Sequence, residues 1–427
     1  MKVAPARIYS ELRDSVKQLT NDIGQNNLEF TTLFFIYGYF RQKNDQAAHI
    51  ETSFGPFSQF LNQEIQCLGV NSDQIKEHLN PISRIVLDSS EDVDLLSKND
   101  FHLLNDLSAS DYLSHCIIQM ANTISKDTGD LITPTATLSL IHALSGPQLS
   151  GKFLDLNART GEWAENILRS DESLEINVTN FCFDSHHQIL SLMRLRLKEN
   201  RHHESQLFNK FNLSEVNENA YDLVFSNPPF GKPPRADHRE YRGTQEAFFL
   251  DHALIASKPD GKVIFIVPEG FLFRNNQRRN EDFYLRKQLT DDKAIKTIIR
   301  LPDSTFFPFA KIRTAILVID KGIPNEEVSF IDIDKNPGEL TLDEISKIAL
   351  LTGASPPLTG VSFKQVESQQ IIENQYDWQV QRYLSAPFEH DFRNIKAIKQ
   401  TLESKEAELM QTQQEIKAMI KLMEINE

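Results

Sequence analysis

The sequence predicts an α/β protein: an open, doubly wound sheet, preceded by an all-helical N-terminal domain and followed by a helical C-terminal tail. In residues 126–335, short apolar runs alternate with amphipathic helical patterns, which is typical of a mostly parallel sheet with helices on both faces. A chain of 427 residues is also longer than one ordinary domain. We therefore predict a helical domain in residues 1–125, the sheet domain in 126–335 and a C-terminal extension in 336–427.

The N-terminal domain is predicted from helical spacing of its apolar residues. The first pattern and the aromatic-rich segment after it consist of Ile8, Leu12, Val16 and Leu19, then Phe34, Phe35, Tyr37 and Phe40. No cluster of titratable side chains stands out in this part of the sequence. We expect a packed helical unit without chemistry of its own.

The sheet is predicted from six apolar runs with helical patterns in most of the gaps between them. The runs are residues 152–156, 180–184, 221–226, 262–268, 294–301 and 313–321. In doubly wound sheets, ligands bind beyond the carboxyl ends of the strands. The residues that directly follow these runs are therefore the candidates for a functional site.

The last part of the chain carries a seven-residue apolar repeat. It is formed by Ile395, Leu402, Leu409, Ile416 and Met423, with Ile398 and Met419 on the neighbouring position. Such a repeat favours packing against another helix. This helix either folds back onto its own domain or inserts between helices of another subunit, and we favour the second.

Composition and charge exclude several classes of protein. The three cysteines, Cys67, Cys116 and Cys182, lack the spacing of a zinc site or a disulfide framework, so we expect a reducing compartment and no metal. The longest apolar run, residues 30–40, is shorter than the ~20 residues that span a bilayer. We predict a cytoplasmic protein without membrane contact. Because the net charge is −15, contact with nucleic acid must come from local basic patches or from a partner.

The most informative motif is Asn227-Pro228-Pro229-Phe230, directly after the predicted strand 221–226. The exocyclic amine of adenine is a poor nucleophile because its lone pair is delocalised into the ring, so an enzyme that alkylates it must hold its hydrogens. Asn227 supplies a side-chain carbonyl, and Pro228 a backbone carbonyl whose direction the paired prolines fix. Phe230 offers a face for a base swung out of the duplex. A chance turn is the alternative.

Two features at earlier strand ends suit a nucleotide-like cofactor. Asp155 and Leu156 begin a turn that reaches Gly161, where glycine allows close approach of the backbone to a ligand. Asp184 ends the next predicted strand, where a carboxylate accepts hydrogen bonds from ribose hydroxyls. Each feature alone also fits a structural role, as a simple turn or a helix cap.

A basic segment follows the tetrad. Its charged residues are Lys232, Arg235, Arg239 and Arg242, and a second candidate patch consists of Arg274, Arg278 and Arg279. We interpret the first segment as a DNA phosphate contact at the mouth of the site, with a solvated loop as the alternative.

Together these motifs resemble the type I modification-subunit family of N6-adenine DNA methyltransferases. The resemblance covers residues 125–325, and a weaker similarity is present at residues 374–377 and 382–383. It is carried by residues 129–134 (GDLITP), the turn at Asp155, the tetrad, and the ordered matches 249–252 (FLDH), 261–262, 267–274 (VPEGFLFR), 301–302, Phe306, 316–318 and Lys321.

The resemblance implies a Rossmann-like methyltransferase sheet that binds S-adenosylmethionine. Thr133 and Pro134 would hold the methionine end of this cofactor. Asp155, Leu156 and Gly161 would line its centre, Asp184 would bind its ribose, and the tetrad would hold the target adenine. The implied partners are DNA, a separate specificity subunit and a restriction subunit.

The sequence departs from the family pattern at two positions. Arg159 stands where the family usually has glycine, and the acidic residue expected before the tetrad strand is not evident in residues 207–212. An inactive scaffold with the same fold therefore stays open as an alternative at this point. A methyltransferase that acts on RNA or on a protein glutamine is a second alternative, because an Asn-Pro-Pro-aromatic tetrad also serves such substrates.

Overall fold

The computed structural model of this chain describes most of the predicted sheet domain and part of the C-terminal extension. The described residues are 132–146, 150–159, 161–170, 176–182, 191, 203–207, 216–231, 243–275, 281–306, 311–351, 355, 357–384, 402, 404–405 and 409–412. The predicted helical domain, residues 1–125, lies outside them.

The described residues form one sheet of nine strands, in the order β3-β2-β1-β4-β5-β7-β6-β8-β9. The strands are β1 Gly151–Asp155, β2 Ile176–Cys182, β3 His203–Leu207, β4 Tyr221–Ser226, β5 Ser257–Pro268, β6 Ile295–Arg300, β7 Thr314–Asp320, β8 Glu327–Ile333 and β9 Val361–Glu367. Strands β1 to β5 are parallel, and β7 lies antiparallel between β5 and β6. The strand order reverses between β1 and β4, and such a reversal opens a crevice at the carboxyl ends of those two strands.

Helices cover both faces of this sheet. They are α1 Thr135–Ser145, α2 Glu162–Ser170, α3 Gln245–Ala256, α4 Glu281–Asp291, α5 Leu342–Ala349, α6 Ser368–Glu373 and α7 Val380–Leu384, with 3₁₀ turns at Glu269–Leu272 and Pro337–Glu339. Along β5, Phe265 belongs to the apolar cluster beneath α3 and α4, while Ile264 and Ile266 belong to the cluster beneath α1, α2 and α5. Alternate residues of a strand point to opposite faces, so the predicted doubly wound arrangement is confirmed.

Three strands were not predicted, and one is displaced. Strand β3 (HESQL) has a mostly polar sequence, and β9 (VSFKQVE) lies at the edge of the sheet with alternate residues exposed. Strand β8 was missed between the last predicted run and the C-terminal extension. Strand β2 spans Ile176–Cys182 instead of residues 180–184, because pairing of Gly151 with Ile176 and of Asp155 with Asn180 fixes its register against β1.

The sheet continues past residue 335, through β9, and the segment after it packs on the core. Trp378 is fully buried, its N–H donates to the Leu272 carbonyl at 2.8 Å, and its ring N–H donates to the Thr290 hydroxyl at 3.1 Å. The buried Arg286 donates through Nε to the Tyr376 carbonyl at 3.0 Å. These contacts fasten the segment to α4 and to the turn after β5.

The chain divides into two units, Met1–Leu384 and Ser385–Glu427. In the second unit, the described positions are helical, and Leu402, Leu409 and Met410 are exposed. None of the helices in the described part of the chain is both long and apolar enough to cross a membrane.

Candidate active site

The tetrad lies at the switch point of the sheet, beside the turn that follows β1. Strand β1 ends at Asp155 and β4 ends at Ser226, and the two strands are hydrogen-bonded neighbours. The Leu156 N–H donates to the Phe225 carbonyl at 2.9 Å. Two features that the sequence placed separately, the Asp155 turn and the Asn227 tetrad, are thereby joined.

Asn227 is the centre of the hydrogen bonds that join these segments, and only 1% of it is exposed. Its side-chain amide donates to the Thr133 hydroxyl at 3.0 Å. Its backbone carbonyl accepts from Asn157 Nδ2 at 2.8 Å and from Arg159 Nη2 at 2.9 Å. The segment before α1, the turn after β1 and the tetrad after β4 therefore meet at one residue.

Arg159 occupies the position where the resembled family usually has glycine. Its φ of 44° is left-handed, a conformation that costs a non-glycine residue roughly 1–2 kcal/mol. The side chain is buried, the carbonyl accepts from the Cys182 thiol at 3.6 Å, and Nε has no hydrogen-bond partner within the described part of the chain. The turn thus forms with arginine in place, and its guanidinium is directed to Asn227.

Asp155 is buried at the start of the same turn and accepts a hydrogen bond from the Asn157 N–H at 3.2 Å. Burial raises the pKa of its carboxyl well above the ordinary value, and the negative charge of Glu162 adds to the effect. The Asn157 N–H and the Arg159 charge act in the opposite direction. The site therefore contains an acid that is held in a low-dielectric environment.

Gly161 ends the turn with a φ of 77°. A Cβ at this position would lie 2.9 Å from the Ser191 hydroxyl oxygen and 3.2 Å from Ser191 Cα. Glycine is required here for two reasons, the left-handed backbone and the close approach of Ser191.

The other predicted residues of the site have structural contacts as well. Pro134 precedes α1, and its carbonyl accepts from the Leu138 N–H at 3.0 Å. Leu156 is fully buried in an apolar cluster. Pro228 is buried, whereas Pro229 and Phe230 are half-buried, and Phe230 packs against the apolar cluster beneath α1 and α2.

The described flanks of the basic segment, residues 232–242, are fastened together. The Gln245 N–H donates to the Gly231 carbonyl, and the Gly231 N–H donates to Glu246 Oε2, each at 2.9 Å. Glu246 is fully buried, and this burial raises the pKa of its carboxyl. The segment therefore leaves and rejoins the described structure directly beside the tetrad.

Arg274 contacts the same buried carboxylate, Glu246, that binds the Gly231 N–H. Its Nη1 contacts Glu246 at 3.4 Å and Asp282 at 3.0 Å, and Asp282 in turn accepts from the Thr244 hydroxyl at 2.9 Å. Arg274, the first residue of the predicted second basic patch, thus forms ion pairs with two buried carboxylates. The other two residues of that patch, 278 and 279, lie outside the described residues.

Several predicted site residues are not described, and sequence reasoning missed others. Asp184, Lys232, Arg235, Arg239 and Arg242 lie outside the described residues. The missed contacts are those of Asn157 and Arg159 with Asn227, and of Glu246 with Gly231. Glu246 carried a signal in the sequence, because it is an acid on the same helical face as the apolar residues Phe249, Leu250 and Ala253.

Comparisons with known proteins identify the family of this chain. The family model described as N-6 DNA Methylase matches residues 109–392, which is more than half of the chain. The methylase subunit of the type I restriction enzyme MpnII from Mycoplasma pneumoniae is 23% identical, over 98% of this chain and 80% of that protein.

Two solved structures share the fold. One is the type I restriction-modification methyltransferase subunit from Streptococcus thermophilus, with a TM-score of 0.60 and 20% identity over 90% of this chain and all of that one. The other is a chain of a type I restriction-modification system, with a TM-score of 0.62 and 16% identity over 99% of each chain.

Proposed function

This chain belongs to the N-6 DNA methylase family, and from that premise we propose that it is the modification subunit of a type I restriction-modification complex. An enzyme of this family transfers a methyl group from S-adenosylmethionine to N6 of adenine in DNA. The proposal adds a role for each site residue and a set of partners. The observation that carries it is the network in which Thr133, Asn157 and Arg159 all bind Asn227.

In the proposed reaction, the tetrad holds an adenine that has been flipped out of the duplex. The Asn227 side-chain carbonyl and the Pro228 backbone carbonyl accept hydrogen bonds from the adenine amino group. Three hydrogen bonds hold Asn227 in one orientation, which lowers the entropic cost of aligning the amine with the methyl donor. Phe230 contributes a ring face beside the base.

The residues present fit the proposed methyl donor. Thr133 and Pro134 would bind its methionine end, Asp155, Leu156 and Gly161 its centre, and Asp184 its ribose. The Nε–H of Arg159, in the same turn, is buried without a hydrogen-bond partner among the described residues and is therefore a donor that a polar group of the ligand could use. S-adenosylmethionine supplies a methyl group on a positively charged sulfur that leaves as a neutral thioether, so the site needs no strong base.

DNA and two further subunits are the proposed partners. Lys232, Arg235, Arg239 and Arg242 would contact DNA phosphates, because their segment is anchored beside the tetrad at Gly231 and Gln245. The C-terminal heptad helix, with Leu402 and Leu409 exposed, would pack against helices of a specificity subunit. A restriction subunit would join the same complex in the cytoplasm.

The test is adenine methylation by the Asn227→Ala variant in cells that express the chain with and without its neighbouring subunits. We expect sequencing to detect methylated adenines with the wild-type complex and none with the variant. Asn336→Ala is the control, because this amide caps the 3₁₀ turn Pro337–Glu339 and donates to Ser304, and it has no hydrogen bond with the tetrad within the described residues. Normal methylation by a folded Asn227→Ala protein would contradict the proposed role of the tetrad.

A further inference from the structure

Arg159 is a buried cation whose charge is incompletely compensated in the described structure. Only 3% of the residue is exposed. Its Nη2 donates to a backbone carbonyl, and its Nε is buried without a partner among the described residues. Burying a charged group is costly unless it is paired and hydrogen-bonded. The guanidinium therefore has an unmet requirement for an anion.

Asp155 is the acid that interacts with Arg159 electrostatically, and it meets this requirement poorly. Burial raises the pKa of Asp155 well above the ordinary value, and the negative charge of Glu162 adds to this, so burial opposes the charged form of Asp155. No ion pair between Asp155 and Arg159 is formed within the described residues. An external anion would complete the site.

The position of the guanidinium indicates which anion it binds. Thr133 contacts the side chain of Asn227, and Arg159 contacts the backbone carbonyl of the same residue. The family resemblance assigns Thr133 to the methionine end of the methyl donor. Arg159 therefore lies where the amino-acid part of that donor would enter, which is the only part that carries a carboxylate.

We propose that Arg159 binds the α-carboxylate of the methyl donor through its unpartnered Nε–H. This inference rests on the proposed function and adds to it a residue that the family pattern, with glycine at this position, does not have. A guanidinium matches a carboxylate in geometry and in charge, and hydrogen bonds between charged groups are the strongest that proteins form. The positively charged sulfur and amino group of the donor would be repelled by the same side chain, which leaves the carboxylate as its ligand.

The experiment is isothermal titration of the full-length chain with S-adenosylmethionine and with its decarboxylated analogue, which differs only in lacking the carboxylate. The variants are Arg159→Met, which keeps the length and removes the charge, and Arg159→Lys. Asn157→Ala is the matched control, because it removes the other donor to the Asn227 carbonyl and leaves Arg159 in place. In Arg159→Met, Asn157 still holds that carbonyl.

We expect the wild type to bind S-adenosylmethionine about 10- to 100-fold more tightly than the decarboxylated analogue, the effect of one charge-assisted hydrogen bond. Arg159→Met should remove this preference by weakening only the first ligand. Arg159→Lys should restore part of it. Asn157→Ala should retain the preference even where it lowers both affinities.

Two results would overturn the inference alone: equal weakening of both ligands by Arg159→Met, or tighter binding of S-adenosylmethionine by that variant. The first would make Arg159 a purely structural residue, and the second would mean that the guanidinium excludes the donor. Failure of the wild type to bind either ligand would instead overturn the proposed function, and the inference with it.

Discussion

Replacement of Thr133 by valine tests the hydrogen bond that holds the tetrad. The Thr133 hydroxyl accepts from Asn227 Nδ2 at 3.0 Å, and 3% and 1% of the two residues are exposed. Valine has nearly the same shape and lacks the acceptor. The variant therefore removes one contact of Asn227 without opening a cavity.

The size of the effect of Thr133→Val depends on the burial of the Asn227 side-chain amide. A buried donor that loses its acceptor costs about 1–3 kcal/mol. If this cost falls on the stability of the folded protein, the melting temperature decreases by roughly 2–4 °C for each kcal/mol. If it falls on the alignment of Asn227 with its substrate, kcat decreases by about tenfold for each 1.36 kcal/mol.

The assay is steady-state methylation of a duplex by the assembled complex, with kcat and KM for S-adenosylmethionine measured separately. We expect Thr133→Val to lower kcat about 5- to 100-fold. Thr133→Ser, which keeps the hydroxyl, should remain near the wild type. An increased KM with unchanged kcat would refute the reasoning, because Thr133 would then serve only cofactor binding.

Three further predictions concern charge and assembly. The pKa of Asp155 is higher in the folded protein than in the unfolded chain. As the pH rises, the Asp155 carboxyl therefore ionises first in the unfolded chain, and the free energy of unfolding decreases until the pH passes the folded pKa. Asp155→Asn should therefore raise the melting temperature at neutral pH and not in acid, while weakening cofactor binding; a difference independent of pH would contradict this. Arg300→Met leaves Glu269 and Asp332 without their ion-pair partner, and it should lower the free energy of unfolding in denaturant titrations by about 3–5 kcal/mol. The control is Lys347→Met, which removes an exposed ion pair and should lower the free energy of unfolding by less than about 1 kcal/mol. Deletion of residues 385–427 should leave the melting transition of the remaining unit intact and abolish co-purification with a specificity subunit; unchanged co-purification would place that contact elsewhere.

The central strands could be predicted because burial of both faces leaves a continuous apolar signal. Strands β5 and β7 carry the runs VIFIVP and TAILVID, and each has at least six buried residues. Edge and polar strands lack such a signal. β9 alternates exposed and half-buried residues, and β3 is held in the sheet by its pairing with β2.

By itself, the sequence determined that this is a doubly wound sheet and that Asn227 and Asp155 lie at strand ends, because those signals are local. It did not determine which side chains reach Asn227. Thr133 and Arg159 are 94 and 68 residues away from it along the chain. Only the tertiary structure decided these contacts, since the reversal of strand order between β1 and β4 brings distant segments together. The same reversal turned Arg159, a departure from a sequence pattern, into a buried cation at the centre of the site.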